Sequence, residues 1–484
     1  MVMSDPSRTT GQTPAPGVIV QPGWRRNLAV MAVIMNTFMG TLDGSIVNVA
    51  LPRMSQELGV SPSNAVWVAT AFLLAVACGV PATCALGDQM GRRRLFLIGV
   101  PLFTLSSLGC ALSSSLSVLI VFRVFQGLGT AVVLAVTLPL LRAMFSPLRL
   151  GSILGINAMT VAIGTCAGPV FGGLILSVAT WPWLFLINVP IGVVAFFLGL
   201  YAVPSQPPDP GDFDWLGSLL AGAAIVAFLL AVHEVADVST LWKGGVLLVV
   251  CAGLVVAFLR RERVARRPVI PLDMWNGLFS LSVTTAMVAF FGQGIAIVAL
   301  PFLFQSAYGA TPLQSALLFT PWPAVIMLVA PISGRLADRV RPSVLALTGL
   351  CVFLTGLVII AMLGLHPPIW LVLSASALGG LGFGIFQSPN NKEMQGSTPM
   401  RYASSAAAVL NLNRNVAQSI GAGAVSVALV LSGAVTGSLI QQAQASMRVL
   451  WVAVIAAIFA VVISAAKLHH VARIDQSASP RQND

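Results

Sequence analysis

The sequence predicts an all-α polytopic membrane protein, two six-helix bundles with two intervening spans, about fourteen transmembrane helices in all. Three observations predict it. Of 484 residues 57% are hydrophobic and only 8% charged, against roughly a quarter charged in a soluble domain. The apolar residues gather in runs of about 20, the length that crosses a hydrocarbon core of roughly 30 Å. A basic loop, Cys84-Ala85-Leu86-Gly87-Asp88-Gln89-Met90-Gly91-Arg92-Arg93-Arg94, returns as Gly334-Arg335-Leu336-Ala337-Asp338-Arg339-Val340-Arg341, so the chain carries an internal repeat in which Asp88 and Asp338 correspond.

The first half has apolar runs at about 28–51, 65–86, 95–113, 116–140, 150–176 and 183–203. Two more runs, about 213–233 and 241–259, stand between the halves and end in the basic segment Arg260 to Arg267. The second half follows at about 277–305, 313–334, 343–363, 369–392, 402–432 and 447–467, which puts both Asp loops between the second and third spans of their halves. The expected organisation is therefore a cytoplasmic tail (1–24), an N-terminal bundle (25–203), a linker with two spans (204–270), a C-terminal bundle (271–467) and a second cytoplasmic tail (468–484). Residues 1–23 are rich in Ser, Thr, Pro and Gly with no cleavage site after a short apolar core, which reads as a disordered tail and not a signal peptide.

The formal charge of +11 raises the question of nucleic acid, and the placement of the charges answers it. Of 26 Lys and Arg, 21 fall in loops or tails on one side, three on the other and two inside spans, the positive-inside pattern with both termini cytoplasmic. No basic groove with interleaved aromatics is present, so a nucleic-acid partner is not expected. Tryptophans near span ends, among them Trp67, Trp183 and Trp370, suit the headgroup region. The six cysteines are widely spaced and read as buried thiols. His233-Glu234-Val235-Ala236-Asp237 has Asp237 where a zinc-protease helix has its second His, and no metal site or cofactor is expected.

No phosphate-cradling Gly-Lys-Ser/Thr loop exists, and Lys occurs only at 243, 392 and 467, so ATP is not the expected energy source. Uphill movement then needs an ion gradient and a titratable group inside the membrane. Asp43, in Leu42-Asp43-Gly44-Ser45-Ile46-Val47-Asn48-Val49-Ala50-Leu51-Pro52, is the foremost candidate, since a carboxylate in a span costs about 2.5 to 3.5 kcal/mol and should face protein or a wet cavity. Arg123, in Arg123-Val124-Phe125-Gln126-Gly127-Leu128-Gly129 of the fourth span, lies at the same depth, roughly 10 Å below the outer end. An interaction with Asp43, or a structural Arg paired to backbone carbonyls, are the two readings. Gly164, Gly168 and Gly172 recur every fourth residue around Pro169 and Gly173, which predicts close helix approach. Met31, Met35, Met39 and Asp43 also recur every fourth residue, as core packing or as one wall of a cavity.

These motifs, in this order, resemble the major facilitator superfamily and, within it, the fourteen-span drug/proton antiporters. The Asp loops resemble the superfamily signature G-x-L-A-D-R-x-G-R-K; the second copy matches its first six positions, while the first has Cys84, Gly87 and Gln89 as departures. The first-span stretch is similar to L-D-x-[ST]-I-V-N-V-A-L-P, the fourth-span stretch to R-x-x-Q-G-x-G, and Gly168-Pro169-Val170-Phe171-Gly172-Gly173 to the antiporter signature. Trp181 to Gly192 extends the match, with Pro182 where the family usually has Arg, and Asn411-Leu412-Asn413-Arg414-Asn415 resembles the thirteenth span.

The resemblance implies alternating access around a central cavity, in a bacterial cytoplasmic (inner) membrane. It implies proton coupling through Asp43 and Arg123, and cytoplasmic gating by Asp88, Gly91, Arg92, Gly334, Asp338 and Arg339. Met39, Gln126, Asn411 and Arg414 are the expected cavity residues. The implied partners are a small-molecule substrate, protons and the lipid bilayer, with room for a periplasmic adaptor protein that no residue here specifies. Export of amphipathic, drug-like compounds is the expected function, and export of one dedicated metabolite is the alternative. Some relatives carry acidic residues in the thirteenth span for cationic drugs, whereas residues 402–432 here contain none. A receptor would need a soluble signalling domain and an enzyme a convergent set of catalytic side chains within the spans; the sequence offers neither.

Overall fold

A computed structural model describes residues 23–145, 147–205, 214–234, 241–265, 272–364, 367–399, 403–432 and 439–478. Nearly all of them are helical. The N-terminal half comprises α1 (Gly23–Glu57), α2 (Pro62–Ala65), α3 (Trp67–Met90), α4 (Arg92–Ala111), α5 (Leu116–Met144), α6 (Pro147–Val178), α7 (Trp183–Leu186) and α8 (Asn188–Ala202). Next come α9 (Trp215–Glu234) and α10 (Leu241–Val264). The C-terminal half comprises α11 (Gly277–Ser306), α12 (Pro312–Phe319), α13 (Pro321–Leu336), α14 (Pro342–Met362), α15 (Ile369–Gly396), α16 (Ala403–Leu431) and α17 (Leu439–Ala478).

Thirteen helical segments among the described residues are long and apolar enough to cross a membrane, and α9 stands where the remaining expected span lies. Several start at residues that satisfy the orphan amides of a first turn. Ser115 accepts from the Val118 amide, Asn276 from that of Phe279, and Thr311 and Gln314 form a reciprocal capping box. The second span of each half is interrupted for one residue, Val66 before α3 and Thr320 before α13, both in right-handed helical geometry. Pro52 in α1 matches Pro301 in α11, and Pro139 in α5 matches Pro389 in α15, at about the 250-residue spacing of the two Asp loops. The repeat is thus written into the helix irregularities as well as the loops. Internal prolines of this kind persist because neighbouring helices absorb the freed backbone groups.

Two boundaries differ from expectation. Helix α1 already runs from Gly23, and α17 continues past Lys467 to Ala478, so part of the expected C-terminal tail is a helical extension of the last span. Residues 1–22 and 479–484, the remainder of the expected tails, lie outside the described residues.

Helix pairs pack through small residues. A Cβ at Gly164 or Gly168 of α6 would overlap the side chains of Thr41 or Ser45 on α1, and one at Gly172 would come within 3.0 Å of the Ile46 carbonyl. Gly173 instead faces α12, where a Cβ would stand 2.8 Å from that of Ala316. The glycines around Pro169 therefore hold α6 against both halves, as a small-residue face permits in lipid. Gln305 donates to the Val49 carbonyl (3.0 Å) and Ser426 to that of Ser63 (3.0 Å), which join the halves at the end remote from Gly91 and Asp338. Helix α9 packs on α3 and α16, with the Cys78 thiol donating to the Gly222 carbonyl at 3.4 Å, while α10 packs on α9 and leaves Val249, Val256 and Leu259 exposed for lipid. Asp214 accepts from the Arg261 guanidinium (2.9 Å) and the Gly217 amide (3.0 Å), which pins the ends of this hairpin together.

Candidate functional site

The fold brings Asp43 and Arg123 into contact. Asp43 is 0% exposed on α1 and Arg123 1% exposed on α5. Arg123 Nη1 donates to Asp43 Oδ2 at 2.5 Å and to Gln126 Oε1 at 2.6 Å. Its Nε donates to the Val68 carbonyl at 2.8 Å, so both readings of this residue apply together. The other carboxylate oxygen, Oδ1, accepts from Gln126 Nε2 and from Asn188 Nδ2, each at 2.9 Å. Gln126 also donates to Ser107 Oγ at 2.7 Å, and the Arg123 guanidinium lies 4.2 Å from the Phe72 ring centroid and 5.6 Å from that of Phe185.

Physical chemistry makes such a cluster demanding. Two charges lose their water in the bundle, and only close, multiply hydrogen-bonded geometry offsets that cost. Here every arm of the carboxylate is used. Asn188 and Ser107 complete the site and were not expected there; a lone Asn within the apolar run 183–203 was the available signal for the first, and one of two adjacent serines in α4 offered none for the second.

A cavity of about 210 Å³ lies between the two halves. Asn411 and Arg414 line it, as expected. Met39 and Gln126 do not: each is 0% exposed and packed within the N-terminal half, Met39 against Phe72 and Val76 and Gln126 within the Asp43 cluster. Asp43 is also absent from the cavity wall. The cavity meets α1 at Thr37, Thr41, Ser45 and Asn48, and two residues along a helix turn the side chain by roughly 200°, so Asp43 faces the opposite side from Ser45. The charge pair and the cavity share one helix and occupy its two faces.

The two Asp loops differ in build. Asp88 falls in the last turn of α3, its side chain outside the described residues, and the connection to α4 is Gly91 alone, at φ +86°, a conformation that suits glycine. Arg92 opens α4, and its neighbour Arg93 donates to the Leu200 carbonyl at 2.7 Å. In the second copy Asp338 is 68% exposed and accepts from Lys392 Nζ of α15 at 2.5 Å, a partner outside the loop. Gly334 lies near Ser388 and Arg339 is exposed. Behind this loop stands a buried group: Lys467 of α17 pairs with Glu393 (2.7 Å) and donates to Asn390 Oδ1 (2.8 Å), while Ser343 donates to Glu393. Lys467 sits in the polar end of the last apolar run, where a loop position and a buried one read alike.

A polytopic bundle of two pseudo-repeated halves around a central cavity, with a buried charge pair in one half, defines a membrane transporter. The chain belongs to the Major Facilitator Superfamily, whose family model matches residues 33–422. It is 36% identical to the uncharacterized transporter YebQ of Escherichia coli over 83% of this chain and 88% of that protein. It is 31% identical to the riboflavin transporter RibZ of Clostridioides difficile (81% and 86% covered) and 32% identical to the multidrug resistance protein Stp of Mycobacterium tuberculosis (81% and 74% covered). Among solved structures, a bacterial homologue of the human lysosomal transporter Spinster superposes with a TM-score of 0.66 over 92% of this chain and 98% of that one, at 15% identity. The protein is thus an integral membrane transporter and not an enzyme.

Proposed function

We propose that this chain is a proton-coupled antiporter that exports small amphipathic or drug-like compounds by alternating access, with both termini in the cytoplasm of a bacterial cell. The observation that carries the reading is the Asp43 cluster on the back of a cavity-lining helix. Protonation of Asp43 would remove the charge that Arg123 pairs with and weaken the hydrogen bonds from Gln126 and Asn188. These residues bind α1 to α5 and α8. Loosening them frees α1 to shift against the glycine face of α6, on the same helix that presents Thr41, Ser45 and Asn48 to the substrate. The two events are thereby linked through one rigid element, without substrate and proton sharing a binding site.

The proton contributes to export in a calculable way. Each charge moved inward down the membrane potential releases about 2.3 kcal/mol per 100 mV, enough for appreciable accumulation outside. Asp43→Asn keeps the shape and removes the titration. In inverted membrane vesicles it should insert normally and lose gradient-driven uptake of drug-like dyes; retained uptake that still collapses with the proton gradient would exclude Asp43 as the coupling group.

Export of a dedicated metabolite is the second reading, supported by the riboflavin transporter among the relatives. A susceptibility profile of a pump-deficient host expressing the chain separates the two: broad protection supports drug export, and a phenotype confined to one metabolite supports the second.

A further inference from the structure

We propose that the central cavity is an anion site, in which Arg414 holds the negatively charged group of a flat, acceptor-rich substrate. The proposal rests on the transporter reading above and adds the substrate's chemical class. Among the described residues that line the cavity, Arg414 is the one ionisable group. Its guanidinium carbon lies 5.9 Å from the Phe290 ring centroid, and among the described residues it makes no ion pair or hydrogen bond. Contact with a ring face leaves the in-plane N–H groups of a guanidinium for acceptors. The buried carboxylate of the other half does not supply them, because Asp43 is turned away and already accepts from Arg123, Gln126 and Asn188.

One other lining residue supports this. Trp322 is 1% exposed, and its Nε1 donor has no partner among the described residues. Unpaired buried donors are costly, and acceptors on a ligand relieve that cost. Arg414 and Trp322 line the same small space, and no carboxylate is among its described lining residues. Its aromatic wall suits a planar ring: Phe319 and Trp322 stack with centroids 6.3 Å apart and planes 16° from parallel. A cation in this cavity would meet the Arg414 charge with no compensating anion on the wall. An anion also leaves an inside-negative cell with the help of the potential, so proton entry and substrate exit would draw on the same field.

The test uses one ring system in three charge states. Full-length, detergent-purified protein is titrated calorimetrically with 2-naphthoate, 2-naphthamide and 2-naphthylmethylammonium. The proposal expects 2-naphthoate to bind at least about tenfold tighter than the ammonium compound. Arg414→Gln should weaken 2-naphthoate by about ten- to a hundredfold, in line with loss of a charge-assisted hydrogen bond, and change 2-naphthamide little. Arg414→Lys should retain most of the preference. Equal affinities, a preference for the ammonium compound, or no 2-naphthoate binding by the folded protein would overturn the anion site. If Arg414→Gln fails to fold, the wild-type order of the three probes still decides. Failure of the antiport reading looks different: calorimetric preference for 2-naphthoate would persist, while its movement in inverted vesicles would ignore the proton gradient.

Discussion

The two halves share a topology, and their loops and internal prolines recur about 250 residues apart, yet they fill their cores with different chemistry. In the N-terminal half α1, α5 and α8 meet at Asp43, Arg123, Gln126 and Asn188. In the C-terminal half α11, α14 and α15 meet where Phe383 packs on Phe290, Phe353 and Phe386, with centroids 5.4, 5.4 and 5.7 Å away. The C-terminal half packs the meeting point of these three helices with an apolar aromatic cluster. Burying an ion pair is costly, and apolar packing in its place is often neutral or stabilising. What the N-terminal half gains from its pair must be sought in function.

The comparison is broken most directly by Arg123→Ala. It strands the Asp43 carboxylate and should destabilise the protein by about 3 to 5 kcal/mol, whereas Asp43→Asn with Arg123→Gln should stay within about 2 kcal/mol of wild type. Denaturant unfolding in detergent, read as a double-mutant cycle, measures both. A tolerated Arg123→Ala would show that the pair is not mutually dependent.

Lys467→Met sharpens the contrast, because Glu393 and Lys467 form a buried pair in the other half, behind the Asp338 loop and away from the cavity wall. Stability should fall by about 2 to 4 kcal/mol. Proton-driven uptake per inserted molecule should stay within about twofold of wild type; loss of coupling with normal insertion would move part of the proton pathway into the C-terminal half.

Phe383→Leu thins the aromatic cluster without leaving a large hole. The expected cost is about 1 to 2 kcal/mol in the same unfolding measurement, with the coupling of efflux to the gradient unchanged. A changed proton dependence would mean that the rings are not the inert counterpart of the charge cluster.

The smallest effect belongs to Asp338→Asn. An exposed Asp338–Lys392 pair contributes less than about 1 kcal/mol to stability. Transport rate should nevertheless change while substrate binding does not, if this contact between the loop and α15 takes part in gating; unchanged transport together with unchanged cytoplasmic accessibility of cysteine reporters would remove it from the cycle.

Composition and patterning determined the class of this protein, because a bilayer admits only segments that satisfy their own backbone, and those segments declare themselves as apolar runs. The repeat was legible in the two Asp loops, and the cost of a charge inside a span singled out Asp43 and Arg123 before any contact was known. Which way those side chains face was decided by tertiary structure alone. A helix without a polar face has no outward side in its sequence, so the α1 that packs Asp43 against α5 and α8 reads the same as one that turns it into the cavity. The same reason hid Asn188, Ser107 and Lys467, and misassigned Met39 and Gln126: each becomes a partner or a wall only through residues far away in the chain. Arg414 reached the cavity as expected, but that it stands there without a carboxylate is a fact of three dimensions, set by which helices surround it.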